Sequence, residues 1–128
     1  MAAIRFLSVD DVLAIHQNTI ANEGGLAGLR DAGLLESAVL MPQQRFEGEY
    51  LHPELAAMAS AYLFHISQNQ AFHDGNKRTA VLAALVFLTA NGVESLPPPD
   101  VLEEMTVRIA SGEATKKELT DWMRAQLG

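Results

Sequence analysis

The sequence has no cysteine, and its nine basic residues are outnumbered by sixteen acidic ones. Without thiols the chain can form neither a disulfide framework nor a thiolate nucleophile, which fits a cytoplasmic location. The formal net charge of −7 argues against nucleic acid or an anionic membrane as the main partner. The longest uninterrupted apolar run, residues 80–88, is far shorter than the roughly 18 residues that indicate a membrane span.

Strand signals, internal repeats and the phosphate-binding pattern G-x-x-x-x-G-K-[S/T] are also missing from the sequence. His65, His73 and Asp74 do not have the spacing of a transition-metal site, so we expect no zinc. The 128 residues are 48% hydrophobic and 20% charged, a balance typical of one ordered domain. We therefore expect a single all-α domain over residues 1–128, with no β-strand.

Six helices are predicted from hydrophobic periodicity and from residues that begin and end helices. Ser8 is a good N-cap for the first helix, Asp31 for the second and Asp100 for the fifth. Thr115 and Glu118 have the spacing of a capping box before the last. The predicted helices cover residues 9–21, 32–41, 53–69, 76–91, 101–111 and 116–127.

The third and fourth helices are the most hydrophobic segments of the chain, and the fourth is apolar on every face. Helices of that kind are enclosed by others, so we expect these two to form a buried hairpin at the centre of the bundle. Residues 43–50, between the second and third helices, are expected to form a loop or a short helical turn. His16 and His65 lie on apolar helix faces, and we interpret both as packed structural residues.

The corner between the two central helices is polar and carries the chemistry of the chain. Gly75 permits a tight turn, and a helix that starts at Asn76 would direct its unpaired N–H groups at one point. Such a helix start attracts anions, and Lys77 and Arg78 add two full positive charges. Asp74 would repel a bare phosphate but could hold Mg²⁺, which favours carboxylates together with phosphate oxygens. These residues predict a site for Mg²⁺ and a polyphosphate.

The same residues resemble a known family. The segment Phe72-His73-Asp74-Gly75-Asn76-Lys77-Arg78 is similar to the Fic/Doc signature H-x-F-x-[D/N]-G-N-[G/K]-R, and residues 24–38 and 91–93 are similar too. Lys77, where most Fic proteins have Gly, resembles the Doc (death-on-curing) toxin branch. The resemblance implies a Fic/Doc-like helical bundle that covers essentially the whole chain.

The resemblance also implies an activity and partners. Doc toxins transfer phosphate from ATP to a Thr of elongation factor Tu, whereas ordinary Fic proteins transfer AMP, and a cognate antitoxin silences Doc through a tail that folds onto it. By resemblance, Asp74 would hold Mg²⁺, and Gly75, Asn76, Lys77 and Arg78 would bind the phosphates of ATP. Asp74 and Lys77 are thus candidate catalytic residues.

Gln70 departs from the signature, because it occupies the position of the family's catalytic His. A glutamine cannot accept a proton at neutral pH, and His73 is not an obvious replacement. We therefore expect a weak or inactive enzyme, whether the substitution is natural or engineered. A catalytically inactive nucleotide-binding relative and a helical interaction module remain alternatives. Residues 19–24 also match a loose self-inhibitory pattern of some Fic proteins, and we interpret them as a helix end.

Overall fold

The computed structural model describes residues 3–128, which form six α-helices and one small β-hairpin. The elements in chain order are α1 (Val9–Glu23), α2 (Ala32–Leu40), a 3₁₀ turn (Met41–Gln43), β1 (Arg45–Phe46), β2 (Glu49–Tyr50), α3 (Leu55–Asn69), α4 (Asn76–Ala90), α5 (Pro99–Ala110) and α6 (Lys116–Leu127). The all-α fold class is confirmed. Within residues 3–128, no helix has both the length and the apolar character that a membrane crossing requires.

Helices α3 and α4 pack against each other along their length and form the centre of the molecule. Their side chains dominate the core, where Tyr62, Leu63 and Phe87 are fully buried. Helices α1 and α5 cover α4, while α2 and α6 cover α3. The predicted central hairpin is therefore confirmed, and the corner between its two helices lies at one end of the bundle.

Local signals account for most helix boundaries. Ser8 and Asp11 form a capping box at the start of α1, and Thr115 and Glu118 form one at the start of α6. The Asp31 carboxylate accepts a hydrogen bond from the N–H of Leu34 and caps α2. Such caps satisfy N–H groups that have no partner within the helix.

Two predicted helix starts are wrong. Pro98, not Asp100, is the N-cap of α5, because Pro99 has the fixed φ that suits the first helical position. Helix α3 starts at Leu55 with Glu54 as its N-cap, whereas the sequence predicted Pro53 as the first residue. Helix α1 ends at Glu23, two residues beyond its predicted end.

The prediction that the chain has no strand is also wrong. Residues 43–50 contain the antiparallel pair β1–β2, in which Arg45 lies opposite Tyr50 and Phe46 opposite Glu49. Glu47 and Gly48 connect the strands with φ values of 51° and 83°. Positive φ at both central residues is the geometry of a two-residue hairpin turn.

Candidate functional site at the corner of α3 and α4

Two residues in the left-handed backbone region shape the corner. Gln70 directly follows α3 with φ 48° and ψ 51°, and Gly75 directly precedes α4 with φ 80° and ψ 13°. A Cβ at Gly75 would lie 3.3 Å from the Cδ1 of Ile20, so α1 packs directly against this turn. The chain thus reverses between α3 and α4 within residues 70–75.

Arg30 fixes the main chain at Gln70. Its Nε and Nη2 atoms donate to the Gln70 carbonyl oxygen at 2.9 and 2.6 Å. The N–H groups of Arg30 and Asp31 also donate to the carbonyl of Ala71, at 2.7 and 3.0 Å. Position 70 is therefore held through its carbonyl, and the Gln70 side chain takes no part in holding it.

Asn76 closes the turn from inside. Its Oδ1 accepts a hydrogen bond from the N–H of Phe72 at 3.0 Å, and its Nδ2 donates to the carbonyl of Phe72 at 2.9 Å. The Phe72 ring is buried and stacks on the His16 ring, with centroids 3.7 Å apart. The side chain of Asn76 is thus used in the loop, and its backbone N–H is what remains for a ligand.

His16 is buried in α1, as the sequence interpretation expected. Its Nε2 lies 2.8 Å from the carbonyl oxygen of Asp74. Because a carbonyl can only accept, this nitrogen carries the proton. The contact ties α1 to the turn.

Asp74 lies at the exposed rim of the corner, against the loop between α1 and α2. Its Oδ2 accepts a hydrogen bond from the N–H of Leu26 at 2.6 Å. Across residues 3–128, no cluster of three or more His, Asp or Glu side chains converges on one point. Asp74 can therefore offer one carboxylate oxygen, which suits Mg²⁺ because that ion takes its other ligands from water and phosphates.

The N-terminus of α4 is open. Among residues 3–128, no side chain caps this helix, and its first backbone bond runs from the N–H of Thr79 to the carbonyl of Gly75 at 2.9 Å. The N–H groups of Asn76, Lys77 and Arg78 therefore have no helical acceptor. Together with the exposed side chain of Lys77, they form a positive end that suits a phosphate.

Arg78 is engaged elsewhere. Its Nε lies 3.2 Å from an Oε2 of Glu23, and its Nη1 lies 3.2 Å from an Oε2 of Glu103. These ion pairs link α4 to the end of α1 and to α5. Glu23 belongs to residues 19–24, which form the end of α1 as expected but also reach the site. To bind a phosphate, the Arg78 side chain would have to break its ion pair with at least one of these glutamates.

A pocket of about 250 Å³ opens beside the corner, between the end of α3, the start of α4 and α5. Its lining residues are Ser67, Gln68, Gln70, Asn76, Lys77, Thr106, Val107 and Ala110. The predicted site residues thus divide into two groups. Gln70, Asn76 and Lys77 share this pocket, whereas the carboxylate of Asp74 contacts the α1–α2 loop and Arg78 contacts two glutamates.

The Fic/DOC family model matches residues 6–88, from the segment before α1 through most of α4. This chain belongs to the Fic/DOC family. It is 34% identical over 125 residues to the "Protein kinase doc" of Escherichia phage P1, a match that covers 98% of each chain. It is 45% identical over 78 residues to the "Toxin Doc" of Mycolicibacterium smegmatis, which covers 61% of this chain and 60% of that protein. The family resemblance and its Doc branch are confirmed.

Several residues that build the site were not predicted from the sequence. Arg30 lay in a segment noted only for its similarity to the family, and its contact with Gln70 spans 40 positions. His16 was interpreted as structural without a partner, and Asp74 is 58 positions away. Glu103 gave no signal, because exposed acidic side chains on helices are common. Glu23 did lie in the loose pattern of residues 19–24, but that segment was interpreted as a helix end and its ion pair with Arg78 was not predicted.

Proposed function

We propose that this protein is a Doc-like toxin of a toxin–antitoxin system, weakened or inactivated by Gln70. Its corner would bind Mg²⁺ and ATP and support transfer of phosphate, or of AMP, to a hydroxyl of a protein target such as elongation factor Tu in the cytoplasm. The observation that carries the proposal is the uncapped start of α4, flanked by Asp74 and Lys77. The names of the two Doc relatives support the activity class.

Each residue of the corner would have a separate role in binding Mg²⁺ and ATP. The N–H groups of Asn76 and Lys77 would hold phosphate oxygens, and the Lys77 ammonium would neutralise part of their charge. Arg78 would bind a phosphate after breaking its ion pair with Glu23 or Glu103. The oxygen of Asp74 that Leu26 does not use would hold Mg²⁺, which when bound offsets negative charge on the phosphates. Lys77 in place of the family's Gly favours the phosphate-transfer version.

Gln70 would lie beside the phosphates without acting on the target hydroxyl. Its amide cannot take a proton, and losing a general base typically lowers the rate by about 10²–10⁴-fold. Positioning and electrostatics make the larger contribution to phosphoryl transfer, and they depend on groups that this chain retains. We therefore expect nucleotide to bind better than it reacts.

Titration with Mg·ATP tests the site. Lys77→Ala and Arg78→Ala should each weaken binding at least about tenfold, which corresponds to about 1.4 kcal/mol. Lys117→Ala is the matched control, because Lys117 is an exposed lysine on α6 that pairs with Asp121. Equal affinities in the wild type and the Lys77 and Arg78 variants would refute a phosphate site at this corner.

Gln70→His tests the activity. The variant should transfer label to purified elongation factor Tu, from γ-labelled ATP if phosphate moves and from α-labelled ATP if AMP moves. The parent chain should transfer at most about one hundredth as fast. Toxicity in cells should return with the histidine, since the main chain at position 70 is held by Arg30 in either case.

A catalytically inactive nucleotide-binding relative is the second candidate. It is favoured by the absence of any histidine among the described residues that line the pocket beside Gln70. Persistent Mg·ATP binding without label transfer in the Gln70→His variant would select this alternative. Absence of both Mg·ATP binding and label transfer in that variant would favour a helical interaction module.

The partner that we propose is a cognate antitoxin with a helical tail. An apolar groove of about 470 Å³ runs along α1 beside the corner, lined by Leu13, Ile20, Leu29 and Phe72 among others. An amphipathic helix can lay its apolar face in such a groove. Binding should add helical circular dichroism beyond the sum of the two proteins, and additive spectra with no complex at micromolar concentration would contradict it.

A further inference from the structure

Arg78 lies between two acidic side chains, and each of them faces a different edge of its guanidinium group. The Nε lies 3.2 Å from an Oε2 of Glu23, and the Nη1 lies 3.2 Å from an Oε2 of Glu103. An arginine binds a phosphate best through two neighbouring nitrogens, either Nε with Nη2 or Nη1 with Nη2. Each of these pairs contains one nitrogen that already faces a glutamate. Arg78 therefore has no free pair of donors to offer while both glutamates are in place.

The two ion pairs neutralise Arg78 without satisfying its hydrogen-bonding groups. Among residues 3–128, no acceptor takes a hydrogen bond from the Arg78 Nε, although this atom is buried and Glu23 is close. A buried N–H without an acceptor is unfavourable. The side chains of Arg78 and Glu103 are 33% and 32% exposed, and ion pairs at such positions contribute little to stability. A phosphate that carries more than one negative charge can therefore replace a carboxylate here.

Glu103 lies on the side of Arg78 that faces the pocket beside the corner. It belongs to α5, and Val107, four residues later on the same helix, lines that pocket. Residues four apart lie on one face of a helix, so Glu103 belongs to the face of α5 that borders the pocket. Glu23 ends α1, and among the described residues none of α1 lines the pocket. The Glu103 carboxylate is therefore the competitor of a phosphate bound there.

We propose that Glu103 is an autoinhibitory residue of the phosphate site. Its role rests on the proposed binding of Mg·ATP and adds regulation to that site. In the free protein, the Glu103 carboxylate faces the Nη1 of Arg78 and withholds the pair Nη1 and Nη2. A nucleotide phosphate displaces the carboxylate and accepts hydrogen bonds from both nitrogens, while Glu23 keeps the Nε in place. The apparent affinity for Mg·ATP is the intrinsic affinity multiplied by the fraction of molecules in which Arg78 is free of Glu103.

Titration of two charge-removing variants of α5 with Mg·ATP tests this role. Glu103→Gln removes the carboxylate beside Arg78, and Glu104→Gln removes the same charge from the next residue. Glu104 is exposed and takes part in no ion pair among residues 3–128. Both variants lose a similar general repulsion of ATP, so the difference between them measures the release of Arg78. We expect Glu103→Gln to bind Mg·ATP at least about threefold more tightly than Glu104→Gln. Equal affinities would overturn the proposal.

A double-mutant cycle shows whether the effect of Glu103 acts through Arg78. In the Arg78→Ala background, Glu103→Gln and Glu104→Gln should bind Mg·ATP equally, because no guanidinium remains to be released. An advantage of Glu103→Gln that persists in this background would overturn the proposal, since Glu103 would then act on the nucleotide directly. Circular dichroism confirms that each variant is folded before its titration.

Glu23→Gln tests the difference between the two glutamates. Because Glu23 keeps the guanidinium at the corner, this variant should bind Mg·ATP no more tightly than the Glu104→Gln control. Tightening as large as that of Glu103→Gln would overturn the assignment of inhibition to Glu103. Binding by the wild type, without a difference between Glu103→Gln and Glu104→Gln, would reject the inhibitory role alone. Absence of binding in the wild type and in every variant would reject the phosphate site and, with it, the role of Glu103.

Discussion

Both ends of α4 carry an asparagine whose side chain pairs with a neighbouring backbone segment, but the two ends differ in their remaining backbone groups and in charge. At the N-terminal end, the Asn76 amide makes a pair of hydrogen bonds with the backbone of Phe72. At the C-terminal end, the Asn91 amide makes the same pair with the backbone of Arg5, at 2.9 and 3.0 Å. Each asparagine thus joins one end of the central helix to a neighbouring segment.

The ends differ in their remaining backbone groups and in charge. After Asn91, the N–H groups of Gly92 and Val93 donate to carbonyls of the last turn, so that end is closed by its own backbone. At the other end, the first N–H groups have no helical acceptor, and two basic residues follow. The comparison teaches that the asparagine is structural at both ends, and that open amides with added charge distinguish the candidate site.

The largest expected effect on the comparison of the two ends comes from removing the buried Phe72 ring beneath the N-terminal end of α4. Phe72→Ala should lower the free energy of unfolding by about 3–5 kcal/mol, because the ring is only 2% exposed and stacks on His16. Phe46→Ala makes the same change at a ring that is 66% exposed in the hairpin, and should cost less than about 0.5 kcal/mol. Urea unfolding measures both, and similar losses would contradict the assigned role of Phe72.

A direct comparison of the two asparagines comes next in size. Asn76→Ala and Asn91→Ala should each cost about 1–3 kcal/mol, since each leaves backbone groups without partners. Only Asn76→Ala should also weaken Mg·ATP binding, because only its loop shapes the open helix start. Urea unfolding and nucleotide titration distinguish the two effects, and equal losses of affinity would remove the distinction between the ends.

His65 of α3, which contacts the start of α6, should make the free energy of unfolding depend on pH. The pKa of His65 is about 4 in the folded protein and near 6.5 when unfolded, so the unfolded chain binds more protons between these values. Stability from this group is therefore present above about pH 6.5 and lost as the pH falls towards 4. Because the ring is partly exposed, we expect a loss of only about 1 kcal/mol.

The test of this pH effect is a substitution that removes the imidazole. His65→Gln should reduce the difference in melting temperature between about pH 7 and 4.5. Carboxylates also titrate in this range, so the comparison is between variants. Identical pH profiles for the wild type and His65→Gln would contradict the shifted pKa.

Asp74→Asn should have the smallest effect on stability. An asparagine oxygen can still accept the hydrogen bond from Leu26, so the melting temperature should stay within roughly a few degrees of the wild type. The dependence of ATP binding on Mg²⁺ should be lost, because a neutral amide is a poor ligand for this ion. Equally tight ATP binding by the parent chain with and without Mg²⁺ would show that Asp74 has another role.

Features that depend on neighbouring residues were predictable. The N-cap at Ser8, the capping box at Thr115 and the extent of α6 followed from local patterns, as did the turn at Gly75. The hairpin could not be predicted in this way, because strands of two residues are too short to show alternation. The start of α5 was misjudged because a strong capping residue, Asp100, was preferred over the fixed φ of Pro99.

The candidate site was predictable only as far as it is local. The residues from Gln70 to Arg78 are contiguous, so any folded form brings their backbones together. The contacts that orient them come from Arg30, His16 and two glutamates, across separations that periodicity does not report. Which side chains remain available to a ligand therefore required the three-dimensional structure.

The attachment of position 70 has an evolutionary consequence. Arg30 holds the carbonyl of Gln70, and the left-handed conformation there is one that histidine tolerates well. Glutamine and histidine codons differ only in their third base. A single point mutation could thus exchange a residue that cannot take a proton for one that can, with the surrounding backbone already in place. Lineages carrying this chain would stand one substitution away from regaining, or from having lost, a toxic activity.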